Sequence, residues 1–272
     1  LSTVDGQEFN YGDEIPRDQA LAEAETRFTQ AITAAQQFPN DTAMRSLTNM
    51  ALLGRARTRL DLGNTAGARA DAALIPATFT QYNVTASSVS SRRNNRVYSE
   101  SNDPSISASV GARYRAMNDP RVPYRDLNRA NALGVPGVAQ LKYTSANAPI
   151  PLATYDEAQL IIAEVDAGNV ATSGNAVTII NTYRARGNQG VYAGGVDAAS
   201  LRAEVAEQRR RELFLEGAHL GDIYRYNLTL TPAPGTNYPA GLTYGTQQCV
   251  GTNRVGLPLP DIERQNNPNL RT

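Results

Sequence analysis

Apolar residues recur at helical spacing in two blocks of this chain, separated by a long stretch where that spacing is lost. From Asp18 to about Gln37, Leu21, Ala24, Phe28, Ile32 and Ala35 share one face, which predicts a helix that Asp18 can cap. The run from Phe38 to Asp41 stops it. A second helix is expected from Asp41 or Thr42 to Leu62, carrying Met44, Leu47, Ala51, Leu53 and Leu60. Gly63 and Asn64 make a turn, and a third helix runs from Thr65 to Leu74, ending before Pro76. Leu53-Gly54, then Ala66, Ala70 and Ala73, then a proline, is the small-residue pattern of a tetratricopeptide hairpin, in which two antiparallel helices approach closely. Arg57 departs from it by standing where an aromatic is usual, Ala70 replaces a larger residue and Pro76 comes early. Tyr155–Ala167 and Gly174–Ala185, joined by a Gly-Asn turn, repeat the plan. Such hairpins bury their apolar faces against neighbours, so the expected fold is mainly α, a stack of tetratricopeptide-like hairpins.

Between the hairpins, Phe79–Pro151 is rich in Ser, Asn, Pro and Gly. Its short alternating runs, RVYSES, SASVGARYRA and AQLKYT, are candidates for brief strands. A connection this long in a compact fold is commonly functional. It holds Tyr82, Tyr98, Tyr114, Tyr124 and Tyr143, the candidate ligand-binding residues. Each of these has two readings: a sugar-stacking platform, or packing with the hydroxyl at the surface. Beyond Asn227 the chain is proline- and glycine-rich and is expected to lie extended across the helical body, anchored by Leu257, Leu259, Ile262 and Leu270.

The densest mixture of charge and apolar residues is Glu207–Asn227, EQRRRELFLEGAHLGDIYRYN, which predicts a helix with Leu201, Val205, Leu213, Leu220 and Ile223 along one side. Glu212 and Glu216 stand one turn apart beside Phe214 and Leu215. They are tolerable there only if paired with arginines such as Arg210, as Asp222 is with Arg225 three residues on. A structural ion-pair network of Arg210, Glu212, Glu216, Asp222 and Arg225 is the preferred reading. Paired carboxylates for acid–base chemistry are the alternative.

Composition narrows the function. Twenty-six basic residues balance 26 acidic ones, so no long-range field favours nucleic acid, and the cluster Ser91-Arg92-Arg93 with Arg96 reads as a solvated loop. His219 is the only histidine, Cys249 the only cysteine and Lys142 the only lysine. A histidine-based triad or metal site would have to form at His219, and the nucleophile-elbow, phosphate-loop, dinucleotide and zincin motifs do not occur; no cofactor or metal is expected. A glycosidase needs only two carboxylates, which keeps that chemistry as a minor reading. No apolar run approaches the roughly 20 residues that cross a bilayer. Cys249 is expected either to pair with a cysteine in a segment outside this sequence or to be a buried free thiol. Asn40, Asn83 and Asn227 open Asn-x-Ser/Thr sequences, and Thr42 lies in an Asp-Thr-Ala triplet, all candidate glycosylation points of a kind that also arises by chance.

RRRELFLEGAHLGDIYRYN resembles the C-terminal signature of the SusD/RagB proteins, in which an arginine-rich run leads into Glu-Leu, Glu-Gly and Asp-x-x-Arg. DPRVP at Asp119–Pro123, Lys142-Tyr143 followed by APIPLATYDEAQLIIAEVDAG, and LPLPDIERQNNPNL at Leu257–Leu270 match the family in the same order. The resemblance implies a surface-exposed outer-membrane lipoprotein. It would capture oligosaccharides or peptides, without catalysis, for a SusC-like TonB-dependent transporter. It also implies a signal peptide, lipid anchor and further helices in an N-terminal part outside this sequence. On this reading 1–272 is one SusD-like domain: helical hairpins over 18–76, a loop-rich ligand region over 77–151, a second hairpin and the signature helix over 152–227, and a tail over 228–272. The alternative function is a structural protein that self-associates through its helical repeats.

Overall fold

The computed structural model of the chain describes residues 3–5, 8–10, 13, 15–102, 108–131, 134–230, 243–244, 247–248 and 265–267. Among them the helical body comprises α1 (Arg17–Ala35), α2 (Thr42–Asp61), α3 (Thr65–Ala73), α4 (Arg96–Asn102), α5 (Ala112–Arg115), α6 (Tyr155–Asp166), α7 (Ser173–Arg186), α8 (Ala198–Glu212) and α9 (His219–Tyr226). Antiparallel two-stranded ribbons join β1 (Thr3–Asp5) to β2 (Glu8–Asn10), β3 (Gln81–Val84) to β6 (Ile150–Thr154), β4 (Tyr124–Ala130) to β5 (Pro136–Gln140), and β7 (Thr243–Tyr244) to β8 (Gln247–Gln248).

The helix starts follow side-chain capping. Asp41 Oδ1 accepts from the Ala43 and Met44 amides, Asn64 from Gly67, Thr154 from Glu157, and Asp197 from Ala199 and Ser200. α1 differs from expectation. Pro16 occupies its cap position and Asp18 falls in the first turn, where a negative charge still suits the helix N-terminus.

α1, α2, α3, α6, α7 and α8 pack in succession around one core that includes Leu53, Ala56, Leu160, Ile161, Ile180, Tyr183, Leu201 and Val205. Gly54 permits the closest approach: a Cβ there would stand 2.4 Å from the Phe28 ring. In α3 the buried small residues are Ala68 and Ala72, whereas Ala66, Ala70 and Ala73 are exposed. The helix starts where expected, at Thr65, but the face it turns to the core carries Ala68 and Ala72, one turn apart, together with Asp71. Between helices the charge is carried by arginine forks. Arg55 donates to both Asp71 oxygens (2.8 and 2.7 Å), Arg69 to both Asp166 oxygens (2.6 and 3.0 Å), and Arg57 to Glu157 and the Leu152 carbonyl. Arg57, out of place in a tetratricopeptide pattern, thus joins α2 to α6.

The stretch between the hairpins is closed at its base, because β3 and β6 pair across it with Gln81 opposite Thr154. Two of the three expected strands are helices. RVYSES lies in α4, where the buried Asn95 accepts from the Tyr98 amide and anchors itself to Ala148, and ARYR forms α5. Only the AQ of AQLKYT lies in a strand, at the end of β5. The stretch has a small core of its own, Val110, Val122, Val138 and Phe214, with Tyr114, Met117 and Leu215 against it.

Glu207–Asn227 is also not one helix. α8 ends at Glu212, a turn follows with Leu215 at φ 60° and Gly217 at φ 80°, and α9 begins at His219. The break carries Phe214 and Leu215 out of the helical body into the second core. Leu220, expected on the inner side, is consequently exposed, while Leu201, Val205 and Leu213 are buried.

Candidate functional site

The α8–α9 turn is held from three sides by ion pairs. On one side Asp119 accepts from the Arg121 guanidinium at 2.9 and 2.7 Å, from the Arg121 amide at 2.9 Å, and from Arg211 at 3.1 Å. Arg121 also donates to Glu212 at 3.1 Å and to Gln208 at 3.0 Å. Burial pushes the Asp119 carboxyl up, but these arginine bonds outweigh it and hold it down at about 2. On the second side Lys142 Nζ donates to Glu216 at 2.6 Å, and the Tyr143 hydroxyl donates to the Leu215 carbonyl at 3.1 Å. Burial outweighs Lys142 at Glu216 and raises its carboxyl.

Beneath the turn, Arg209 donates to Asp222 at 2.8 Å and lies 3.8 and 3.9 Å from Glu164 and Glu157. Arg225 donates to Asp222 (2.6 Å), to Glu164 (3.0 and 3.2 Å) and to Asp61 (3.2 Å). Glu157 and Glu164 are buried, which opposes ionisation, yet the surrounding arginines bring both carboxyls below the usual range.

The five signature residues therefore divide. Asp222 and Arg225 join this buried group, Glu212 joins Asp119 through Arg121, Glu216 pairs with Lys142, and Arg210 pairs with Glu207. Arg209, Glu157, Glu164, Asp119 and Arg121 were not singled out as partners by charge spacing, because their contacts are made between distant elements. The order of DPRVP, Lys142-Tyr143 and the signature along the chain was the available signal: all three segments meet at this turn.

Beside the turn lies a cleft of two adjoining compartments whose linings have Val97, Tyr114, Phe214 and Leu215 in common. The first, about 430 Å³, reaches Val110 and Gln140; the second, about 410 Å³, reaches Arg209, Arg210, His219 and Asp222. Tyr114 and Phe214 pack at 5.2 Å between ring centroids with a 43° tilt, and the Arg210 guanidinium stands 5.8 Å over the Tyr114 ring. His219 is the first residue of α9. Burial lowers its imidazole pKa against the pull of Asp222, and its Nδ1 has no hydrogen-bond partner among the described residues.

Of the five candidate tyrosines, only Tyr114 lines this cleft. Tyr143 is buried under the turn, Tyr82 is half-buried in β3 against the main core, Tyr98 is half-buried in α4, and Tyr124 is exposed at the start of β4. Phe214 and Leu215 were read only as neighbours of buried charge. Asn40, Thr42 and Asn227 are exposed, and Asn83 is half-buried in β3. Cys249 lies outside the described residues.

No family model and no curated protein matches the chain. Solved structures do. A SusD-like carbohydrate binding protein from Bacteroides fragilis NCTC 9343 superposes at TM-score 0.59 with 18% identity, over 100% of this chain and 75% of that one. A SusD-like carbohydrate binding protein from Bacteroides vulgatus ATCC 8482 gives 0.56 with 16% identity over 82% of this chain. A SusD superfamily protein from Parabacteroides distasonis ATCC 8503 gives 0.55 with 16% identity over 83% of this chain. The chain spans 59% and 61% of the latter two. Mainly helical, with tetratricopeptide-like hairpins and a β-ribbon-closed excursion between them, this chain has the SusD-like fold.

Proposed function

We propose that the chain is a non-enzymatic saccharide-binding protein acting as one unit over 1–272, with the two-compartment cleft as its ligand site. The observation that carries this is the coincidence of the SusD-like fold with a cleft whose wall is a Tyr114–Phe214 aromatic pair. Aromatic faces suit sugar rings because they supply contact area with little loss of side-chain entropy. The two carboxylates that line the cleft are both engaged by cations, which supports binding over hydrolysis: Asp222 is held by Arg209 and Arg225, and Glu100 pairs with Arg96. In this role the protein sits at the outer-membrane surface and passes oligosaccharide to a SusC-like TonB-dependent transporter.

The test is a glycan and peptide array probed with the purified chain and with Tyr114→Ala, which spares the buried Phe214, accompanied by light scattering across a concentration series. Glycan binding by a non-polymerising particle, lost in Tyr114→Ala, is the expected result. Binding of peptides alone, or growth into a polymer without glycan binding, refutes it; the polymer would make self-association the function.

A further inference from the structure

We propose that the second compartment of the cleft selects saccharides bearing an anionic oxygen group, a carboxylate or a sulfate ester, through Arg210, His219 and Arg209. The proposal rests on the saccharide reading above and adds the class of ligand. Its basis is a concentration of unused hydrogen-bonding capacity. Among the described residues, Arg209 Nη1, Arg210 Nε and Nη1, and His219 Nδ1 are buried without a hydrogen-bond partner, and all three residues line the same compartment. Arg209 is only 2% exposed. Buried polar groups are nearly always satisfied, so several such nitrogens on one wall call for an acceptor. Protonated guanidinium groups offer donors only, and a planar fork matches the paired oxygens of a carboxylate or sulfate.

The acidic groups nearby are already engaged. Asp222 accepts from Arg209 and Arg225, while Glu207 accepts from Arg210 Nη2 and from Arg211. Arg113 adds positive charge beside both Arg210 and His219. The two compartments have Tyr114 and Phe214 in common, and the Arg210 guanidinium stands 5.8 Å from the Tyr114 ring, so a sugar ring against Tyr114 places an acidic substituent near Arg210.

Isothermal titration at fixed ionic strength with three size-matched oligosaccharide sets, neutral, uronate-containing and sulfated, tests this on the parent and on Arg210→Gln and His219→Gln. A charge-assisted hydrogen bond supports an expected preference of about ten- to hundred-fold for an acidic over a neutral ligand. The two acidic sets decide between carboxylate and sulfate. In Arg210→Gln the acid-to-neutral ratio falls toward one, and in His219→Gln it falls less, because burial lowers the imidazole pKa and the ring contributes a hydrogen bond rather than a charge. Equal affinity for neutral and acidic sets, or an unchanged ratio in both variants, overturns the anion proposal while leaving saccharide binding intact. Failure of the parent to bind any of the three sets overturns both.

Discussion

Replacing Arg209 with Met probes the buried charge group most sharply. Arg209 is 2% exposed and sits among Asp222, Glu164 and Glu157, with Arg57 and Arg225 as the other cations around them. Met matches much of the side-chain volume but removes the guanidinium that bonds Asp222 and faces Glu157 and Glu164. Removing one partner of a buried ion pair typically costs about 3–5 kcal/mol, because the remaining charge stays out of water. With an unfolding entropy of about 2.1 cal/mol/K per residue over the 272 residues, that is a fall in melting temperature of roughly 5–9 °C. Scanning calorimetry reads this directly.

The pH dependence gives a second readout. In the parent, Glu157 and Glu164 have lowered carboxyl pKa values, so their stabilisation is fully present above the ordinary carboxylate range and is lost as pH falls through their folded values. In Arg209→Met the surplus carboxylate gains by protonation, so the gap between variant and parent narrows as pH falls from 7 toward 4. A variant melting within 1–2 °C of the parent at pH 7, a threshold set well below the roughly 5 °C minimum worked above, would falsify the placement of Arg209 as the central counter-charge.

Other perturbations test separate parts of the account. Asp119, held down at about 2, should contribute up to roughly 2–3 kcal/mol above its ordinary value and lose it as pH falls from about 4 to 2. Asp119→Asn should be less stable than the parent at pH 7, with the difference closing in that acid window of a denaturant titration. Gly54→Ala pushes a methyl into the Phe28 ring across the α1–α2 contact and should cost about 1–3 kcal/mol by thermal melting. Peptide mapping of chain expressed in a glycosylating bacterial host should find sugar, where any is added, on the exposed Asn40, Thr42 or Asn227 and leave Asn83, paired in β3, bare.

What was legible in the sequence depended on the distance over which each feature is made. Helix positions came through periodicity and capping residues, and the tetratricopeptide plan came through the small residue at Gly54. RVYSES was misjudged because alternation over six residues does not reveal Asn95, whose cap depends on contacts with Ala148 about fifty residues away. The continuous helix over 207–227 failed for a related reason. Phe214 and Leu215 fit a helical face locally, but the turn is drawn out by Val110, Val122 and Val138 and pinned by Lys142 and Tyr143. The cleft was hidden because Tyr114 meets Phe214 across a hundred residues. Sequence spacing nominated the tyrosines of one stretch, whereas the cleft joins that stretch to the α8–α9 turn.

The most direct test of the account is the position of a bound oligosaccharide, determined by diffraction from crystals grown with a glycan selected on the array. A sugar ring against Tyr114 and Phe214, contacting the α8–α9 turn, is the predicted result. A ring seated instead on the exposed Tyr124 ribbon or on the helical face of α1 and α2, with the cleft unoccupied, would contradict it.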